Sequence, residues 1–585
     1  MRSLEELKSK LLNRKSLGIP FLLILFILFH LFLISQTFFI DTGGDIHSTI
    51  TGYGDIPLHL TQITKFAFEK SFNLQEPIFY GHKLDYPFLI NLISGLFLRV
   101  TKDFSFSVLF PVFVFAAINI ILIYIVYKKL LKNGRLAYLA MVTFFLGSGM
   151  GGLEYLRKAF ENKFTPLQFI NYLIQNHVTT VVKLDAVFPN QSIDYGAPLS
   201  LVLLHQRAFF LGLFGFLIFL LTLLLSEHSN SKKLLLASGI FLGLLPLMHT
   251  HSFIAGCVTI FAFMIIALFK KNPGYAKKIF LIGLIGFCIS IPQLIYLFDL
   301  TFIGNSSSFI AYRLGWMVPP TIGSIVYPPN QTSTVFSYYF LQFLWNNFGI
   351  ILPAFISCLV LLLASRKKIL NDNFIKIFSF ALSGLLLFAL VQLVRLQPWD
   401  FDDNKILVYF QFFAIPIIFL FLKEIFSKRK LLGITLGTIF IILALFSGVI
   451  DMIPRVGTPF NSLPVIFDVN ARQTADFIRK NIPENDLILT GTSHRDPVDS
   501  LAGRPVYLGY PGWLWSRGIN YSDRETQVTS FYQTPSKDYQ FIKDYKIKYV
   551  LLSDQDISDF KTSKILFDRA FKVIYSNPEF TLYTF

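Results

Sequence analysis

Acidic and histidine side chains gather in one polar stretch that follows the first apolar segment of the chain. Within DTGGDIHSTITGYGDIPLHL, which starts at Asp41, Asp55 and His59 are four residues apart. Pro57 suits the first turn of a helix, so both side chains would lie on one helical face. A carboxylate placed there can act as a general base toward a hydroxyl group or as a metal ligand. We predict Asp55 as the catalytic residue, with Asp45 and His59 as further catalytic candidates.

Two more residues of this region are candidates for binding an acceptor or a metal ion. Asp41 lies at the end of the first apolar segment, and His82 lies in GHKLDYPF farther along. The alternative for the whole region is a solvated loop, in which aspartates cap helices and histidines satisfy backbone groups.

Basic side chains also interrupt later apolar runs. Arg207 occurs early in the apolar run HQRAFFLGL, and His249 and His251 flank the turn in HTHSF. An arginine within hydrocarbon costs roughly 2.5–3.5 kcal/mol, so it requires a partner or a polar cavity. Phosphate is a suitable partner because the guanidinium fork matches its oxygens. An internal ion pair with a loop carboxylate, or an Arg207 side chain reaching to the interface, is the alternative.

A third group of polar residues is RLQPWDFDDNKILVYF, where Asp400, Asp402 and Asp403 precede Lys405. Carboxylates of this kind can hold Mg²⁺ or Mn²⁺ against a sugar phosphate, because hard cations prefer oxygen ligands. Such a loop can equally consist of charges that neutralise one another. Farther on, PGWLWSRG carries two indoles that either stack on sugar rings or, as we favour, pack the C-terminal segment.

The chain that positions these residues is that of a polytopic α-helical membrane protein. It is 53% hydrophobic and only 15% charged, more apolar surface than a soluble fold can bury. About eleven runs are long enough to cross the hydrocarbon layer. These runs are 17–39, 105–127, 135–149, 198–225, 234–249, 252–269, 279–298, 337–364, 374–394, 406–422 and 431–450.

The charges predict how these spans are oriented. Lys and Arg collect before the first span and after every even-numbered span, which by the positive-inside rule puts the N-terminus inside and the C-terminus outside. The net charge of +16 therefore reflects topology, and we expect no nucleic-acid partner. The first apolar run lacks a small-residue cleavage site, so we read it as a retained span.

Two domains are predicted. Residues 1–450 form the membrane domain, with a large first extracytoplasmic loop at about 40–104. Residues 451–585 alternate helix and strand patterns, which indicates a small extracytoplasmic α/β domain with a largely parallel sheet. The polar clusters described above fall on the outer side, in loops or at the outer ends of spans.

The arrangement resembles the GT-C superfamily of membrane glycosyltransferases, which includes protein O-mannosyltransferases and aminoarabinose transferases. The phrases that carry the resemblance are GYGDIPLHL, HQRAFFLGL, QPWDFDDNK and LAGRPVYLGYPGWLWSRGI, which look like those of uncharacterised prokaryotic members. It implies a polyprenyl-phosphate-linked sugar donor and inverting transfer assisted by a first-loop aspartate, best matched by Asp55. Arg207, His249, His251 and Lys405 become candidates for the donor phosphate.

We therefore expect a hexosyl- or pentosyltransferase of the cell membrane that uses a lipid-linked sugar donor, with Mg²⁺ or Mn²⁺ as the cofactor to test. The first loop lacks a clean DxD motif, which leaves the need for a metal open. The main alternative is a multi-span transporter or flippase of lipids or glycolipids, and a second is a non-catalytic membrane scaffold. Transporters favour internal repeats and ionisable residues near the midplane, neither of which this sequence shows.

Overall fold

The structure is a computed structural model that describes residues 18–183, 192–297, 310–313, 315–317, 338–364 and 374–585. The basic clusters predicted before the first span and after the eighth span lie outside the described residues. The same is true of most of the predicted outer loop 299–336.

The first half of the described chain is mainly helical, with short β-pairs in its loops. In chain order its elements are α1 (Gly18–Ser35), β1 (Phe39–Ile40), β2 (Ile46–His47), α2 (Asp55–Phe68), α3 (Leu89–Thr101), α4 (Phe104–Leu131), α5 (Gly134–Leu146), α6 (Gly151–Glu161), α7 (Pro166–Gln175), β3 (Val182–Lys183), β4 (Ser192–Ile193), α8 (Pro198–Leu201), α9 (Arg207–Ser226), α10 (Lys232–Met248), α11 (Thr250–Phe269) and α12 (Pro273–Leu297).

The remaining elements complete the helical part and then form a mixed C-terminal segment. They are β5 (Ala311–Tyr312), α13 (Tyr338–Phe348), α14 (Ile351–Ala364), α15 (Phe374–Leu393), β6 (Val394–Arg395), α16 (Asn404–Lys428), α17 (Lys430–Gly457), β7 (Val465–Phe467), α18 (Val469–Asn481), β8 (Ile488–Leu489), α19 (Pro497–Ser500), α20 (Pro511–Ser516), α21 (Ser522–Gln533), α22 (Gln540–Asp544), β9 (Tyr549–Ser553), α23 (Asp554–Phe560), α24 (Lys564–Ala570), β10 (Lys572–Ser576) and β11 (Phe580–Thr584).

Eight of the described helices are long and apolar enough to cross a membrane. Two bent pairs raise this number to ten: α5 with α6, at 72°, and α13 with α14, at 100°. Each of the eleven apolar runs of the sequence overlaps a described helix or bent pair. The run 234–249, which is not among these ten, corresponds to α10, a helix of seventeen residues. The total of eleven spans and their orientation stay predictions.

Helix α16 runs through the centre of the helical part and is buried along most of its length. It packs against α5, α14, α15 and α17. Elsewhere small residues let helices approach closely. A Cβ at Gly243 of α10 would lie 2.6 Å from the Cβ of Ile289 in α12, so only glycine fits this crossing. The centrally held α16 fixes the position of Lys405 in its first turn.

The C-terminal segment contains a four-stranded sheet of order β10-β11-β9-β8. Strand β8 pairs with β9 in parallel, whereas β11 is antiparallel to both β9 and β10. The predicted largely parallel sheet is therefore wrong. The stretch RPVYLGY, whose sequence pattern predicts a further strand, contributes only an isolated bridge from Val506 to Ile488. The terminal hairpin and the helix at α18 agree with the sequence pattern.

Three carboxyl groups lie buried together in the C-terminal segment. Burial raises the pKa of Asp499 to about 7 and that of Asp556 to about 6. Burial and the neighbouring Asp499 raise the pKa of Asp496 well above its usual value. The folded segment therefore holds protons that the unfolded chain releases at neutral pH.

We expect the stability of this segment to be complete below about pH 4 and to decline as the pH rises through about 6 and 7, because the folded pKa values exceed the unfolded value of about 3.9. Hydrogen exchange of peptides from residues 465–584 of the full-length protein, measured from pH 5 to pH 8, checks this. Asp499→Asn should flatten the dependence, while Asp538→Asn, at an exposed position, should leave it unchanged. Protection that is constant over this range would contradict the expectation.

The first large loop, at about 40–104, and the C-terminal segment are joined by strand pairing and by ion pairs. Strand β2 pairs with β7. Arg517, just after α20, contacts two carboxylates of the loop, with Nη1 2.5 Å from Glu76 Oε2 and 2.7 Å from Asp85 Oδ1. Glu76 is fully buried, so its charge depends on this arginine.

Arg517→Met should destabilise the protein by roughly 3–5 kcal/mol, because it leaves the Glu76 carboxylate buried without a counter-charge. The thermal unfolding midpoint in detergent, compared with that of Arg569→Met at an exposed position, measures the effect. Equal midpoints for the two variants would show that the buried cluster does not stabilise the joint.

Candidate functional site

Asp55 begins α2 and faces the loop that leads into α9. A short 3₁₀ turn, Ile50–Gly52, precedes it, and the Thr49 side chain accepts a hydrogen bond from Gly52 N in that turn. Gln206 Nε2 donates to Asp55 Oδ2 at 2.7 Å, and His205 Nε2 lies 3.5 Å from the same oxygen. The carboxylate is thus held by the residues just before α9.

The surroundings of Asp55 favour its protonated form near neutral pH. Its pKa is raised to about 7, mainly by burial and partly by the nearby Asp402, against the opposite effects of Lys405 and the Gln206 hydrogen bond. The side chain still keeps 36% of its surface exposed. His205 is more deeply buried, and burial, with Arg455 and Lys405 nearby, lowers its pKa to about 3. The raised pKa of Asp55 lies in the range where a general base works best.

His59 points into a network of neutral hydrogen bonds. Asn91 Nδ2 lies 3.0 Å from His59 Nδ1 and donates to Gln62 Oε1 at 2.8 Å. The Asn91 carbonyl accepts from Arg207 Nε at 3.2 Å. Burial, together with Arg207 and Lys405, holds the pKa of His59 well below its usual value, so it is neutral. The structure brings His59 into the site as a neutral group beside Asp55.

Arg207 is buried and its guanidinium already has protein partners. Besides Asn91, Nη2 donates to Ser94 Oγ at 2.6 Å and Nη1 to the Val108 carbonyl at 2.5 Å. These acceptors are neutral, and they tie α9 to α3 and α4. The role predicted for Arg207 at a donor phosphate stays a prediction, but its described contacts are those of a residue that joins helices.

Lys405 is a buried cation in the first turn of α16. Its Nζ lies 2.9 Å from Asp402 Oδ2, and its charge acts on Asp55, His59 and His205. The other two aspartates of the cluster have different partners. Asp400 forms ion pairs with Arg313 and Arg395, and Asp403 Oδ2 accepts from Leu396 N at 3.3 Å. Asp402 therefore lies near Asp55, whereas Asp400 is paired with Arg313 and Arg395.

His249 and His251 lie on the α11 side of Lys405. Their rings stack with centroids 5.2 Å apart. Ser252 N donates to His249 Nδ1 at 3.2 Å, so neutral His249 carries its proton on Nε2. Ser252 Oγ in turn lies 2.6 Å from the Tyr409 hydroxyl of α16. The two histidines lie close enough to Lys405 for its charge to act on both, where α11 meets α16.

Asp41, Asp45 and His47 form a separate group against β7 and α18. One ligand atom from each lies within 4.8 Å of the others. His47 Nδ1 lies 2.8 Å from the Leu463 carbonyl, which leaves Nε2 directed toward Asp41 Oδ2 at 3.3 Å. Asp45 Oδ1 accepts from Val469 N at 2.8 Å. No described contact joins this group to Asp55, so Asp45 stays a prediction as a catalytic residue.

His82 is half-buried in the first loop, where its Nδ1 lies 2.8 Å from the Lys83 carbonyl. None of its described contacts reaches Asp55.

Sequence reasoning missed Gln206 and Asn91, the neutral amides that hold Asp55 and His59. It also gave no pairing for Trp399, whose ring centroid lies 5.8 Å from that of Trp515 of α20. The position of Gln206, a polar amide, within the apolar run 198–225 was the one available signal.

Neither protein-family models nor curated protein sequences match the chain. Solved structures do. Archaeal oligosaccharyltransferase AglB from Archaeoglobus fulgidus, in complex with an inhibitory peptide and a dolichol-phosphate, aligns with a TM-score of 0.52 at 12% identity, over 91% of this chain and 69% of that one. The chain has the GT-C fold. The resemblance predicted from the sequence is thereby confirmed at the level of fold.

Two further structures are similar to this chain. The Archaeoglobus fulgidus oligosaccharyltransferase in complex with Zn and sulfate aligns with a TM-score of 0.50 at 12% identity, over 90% of this chain and 67% of that one. ArnT from Cupriavidus metallidurans bound to undecaprenyl phosphate aligns with a TM-score of 0.49 at 9% identity, over 97% and 98%.

Proposed function

We propose that the protein transfers a sugar from a polyprenyl-phosphate-linked donor to an acceptor hydroxyl at the extracytoplasmic face of the cell membrane. The observation that carries the proposal is the Asp55 carboxyl, whose pKa is raised to about 7 and which Gln206 holds beside the buried Lys405. A base with a cation nearby provides the two groups that such a transfer requires. The GT-C fold supports the same assignment.

In the proposed reaction Asp55 removes the proton of the acceptor hydroxyl as its oxygen attacks the anomeric carbon. The bond between that carbon and the phosphate oxygen breaks, and the electron pair leaves with the lipid phosphate. Lys405 meets the negative charge that develops there, and His249 donates a hydrogen bond from Nε2. Attack opposite to the leaving group inverts the configuration of the sugar.

The proposal includes the topology of the chain. Residues 1–450 form the membrane domain with about eleven spans. The N-terminus is cytoplasmic, and residues 451–585 form an extracytoplasmic domain. The ion pairs between Arg517 and the first loop support the outer placement of both segments together, since the loop and the C-terminal segment must then share one side.

The group of Asp41, Asp45 and His47 fits a divalent metal such as Mg²⁺ or Mn²⁺. Two carboxylates and one imidazole offer the necessary donors, and the Leu463 carbonyl fixes the tautomer that presents His47 Nε2. A bound ion there would attract the phosphate of an approaching lipid-linked substrate.

The test is a tracer assay with the full-length protein in proteoliposomes and a polyprenyl-phosphate donor carrying labelled hexose or pentose. We expect cleavage of the donor and label in an acceptor, both with and without added Mn²⁺ in separate arms. Label that crosses the bilayer still attached to intact lipid would instead identify a flippase. No cleavage of any donor would overturn the proposed function.

A further inference from the structure

A cavity of about 520 Å³ opens where the end of α2 meets the C-terminal segment. It is lined by Lys70 and Phe68 from the first loop and by Arg479, Lys480, Glu484 and Arg504 from the C-terminal segment, among other residues. Asp55 lies at the opposite end of α2, roughly 20 Å away by the rise of a helix. The cavity is therefore separate from the site described above.

Four cations line this cavity against a single carboxylate, Glu484. That carboxylate accepts from Lys70 N at 2.7 Å, and Arg479 forms an ion pair with Asp476. In the described part of the chain, Lys70, Lys480 and Arg504 have no carboxylate within ion-pair distance. The lining therefore carries an excess of positive charge.

Arg504 is the most deeply placed of these cations. Its residue surface is only 9% exposed, and Nη2 donates to the Ile482 carbonyl at 3.1 Å. Nε, which is buried, has no hydrogen-bond partner among the described residues. Burial lowers the pKa of Arg504, the nearby Glu484 and Glu69 act in the opposite direction, and Arg479 lowers it.

The cavity lies next to α3, a helix with exposed apolar side chains. Arg99 of α3 donates from Nε to the Ala67 carbonyl of α2 at 3.1 Å, just before the end of that helix. On α3, Leu96 and Val100 are exposed, Val100 by 81%. Such a surface suits the edge of the lipid layer, so the cavity is within reach of lipid headgroups as well as of soluble anions.

We infer that this cavity binds a phosphate group, with Arg504 and Arg479 as its inner ligands and Lys70 and Lys480 at its rim. Each planar guanidinium group can donate two parallel hydrogen bonds to phosphate oxygens, whereas the lysines supply charge without fixed geometry. The phosphate belongs either to an anionic lipid or to a soluble or acceptor-linked anion. The two sources share the chemistry that the cavity recognises.

The experiment uses the full-length protein in nanodiscs. In phosphatidylcholine nanodiscs, isothermal titration with inorganic pyrophosphate should show binding that weakens roughly tenfold or more in Arg504→Met/Arg479→Met, since hydrogen bonds to charged groups are lost. In nanodiscs containing phosphatidylglycerol, native mass spectrometry should show retained lipid that the same variant loses. The matched control, Arg569→Met/Lys572→Met, removes two exposed charges outside the cavity.

Pyrophosphate binding alone would assign the site to a soluble or acceptor-linked phosphate, and retained phosphatidylglycerol would assign it to the membrane. Lys70→Met/Lys480→Met provides a second test if the arginine variant does not fold, because both lysines are exposed. It should weaken whichever binding is observed. Binding by the wild type that neither cavity variant reduces relative to the control, or no binding of either probe, would overturn the inference.

Discussion

Asp55→Asn should lower the rate of sugar transfer by roughly 10²- to 10⁴-fold, the usual contribution of a general base. The amide keeps the size of the side chain and an oxygen for the Gln206 hydrogen bond, so the fold should be retained. Single-turnover transfer from a labelled polyprenyl-phosphate sugar measures the rate, and the thermal unfolding midpoint checks the fold.

The same substitution at the competing candidate, Asp45, tests whether the base is Asp55. Asp45 was predicted as a competing catalytic residue, and its Oδ1 accepts from Val469 N in a separate group. Asp45→Asn should therefore change transfer far less than Asp55→Asn. A folded Asp55→Asn protein with wild-type turnover, together with an inactive Asp45→Asn protein, would move the catalytic role to Asp45.

Much of the helical architecture could be predicted because local composition determines it. Each apolar run becomes a helix or a bent pair, and α2 begins at Asp55, two residues before the Pro57 that suits a first helical turn. Lys405, predicted at the end of the acidic loop just before the tenth apolar run, lies in the first turn of α16. Such features depend on neighbours along the chain.

Features that depend on distant neighbours could not be predicted. The partners of Arg207 come from α3 and from the Val108 carbonyl in α4, about a hundred residues earlier, and nothing in HQRAFFLGL indicates them. The mixed sheet escaped prediction because β8 is only two residues long, and its neighbours decide whether the pairing is parallel. Neutral amides such as Gln206 and Asn91 carry no charge signal, so their roles emerge only from the contacts they make.

Lys405→Met should be the second variant with a large effect on activity. The ammonium group is buried, and its charge acts on Asp55, near which the phosphate charge develops in the proposed reaction. Removal of one preorganised group that stabilises such charge costs roughly 10²- to 10³-fold in turnover. Lys405→Arg, which keeps the charge, should retain more activity than the methionine variant.

The same substitution should also move the pH dependence of the rate. The base must be ionised, so transfer rises as the pH increases through the pKa of Asp55, about 7. Lys405 lowers that pKa, and its loss should therefore shift the midpoint to higher pH. Lys423→Met is a matched control at the far end of α16, roughly 27 Å away along the helix. An unshifted midpoint in Lys405→Met, or the same shift in Lys423→Met, would show that the charge of Lys405 does not set the pKa of Asp55. It would contradict the role proposed for Lys405.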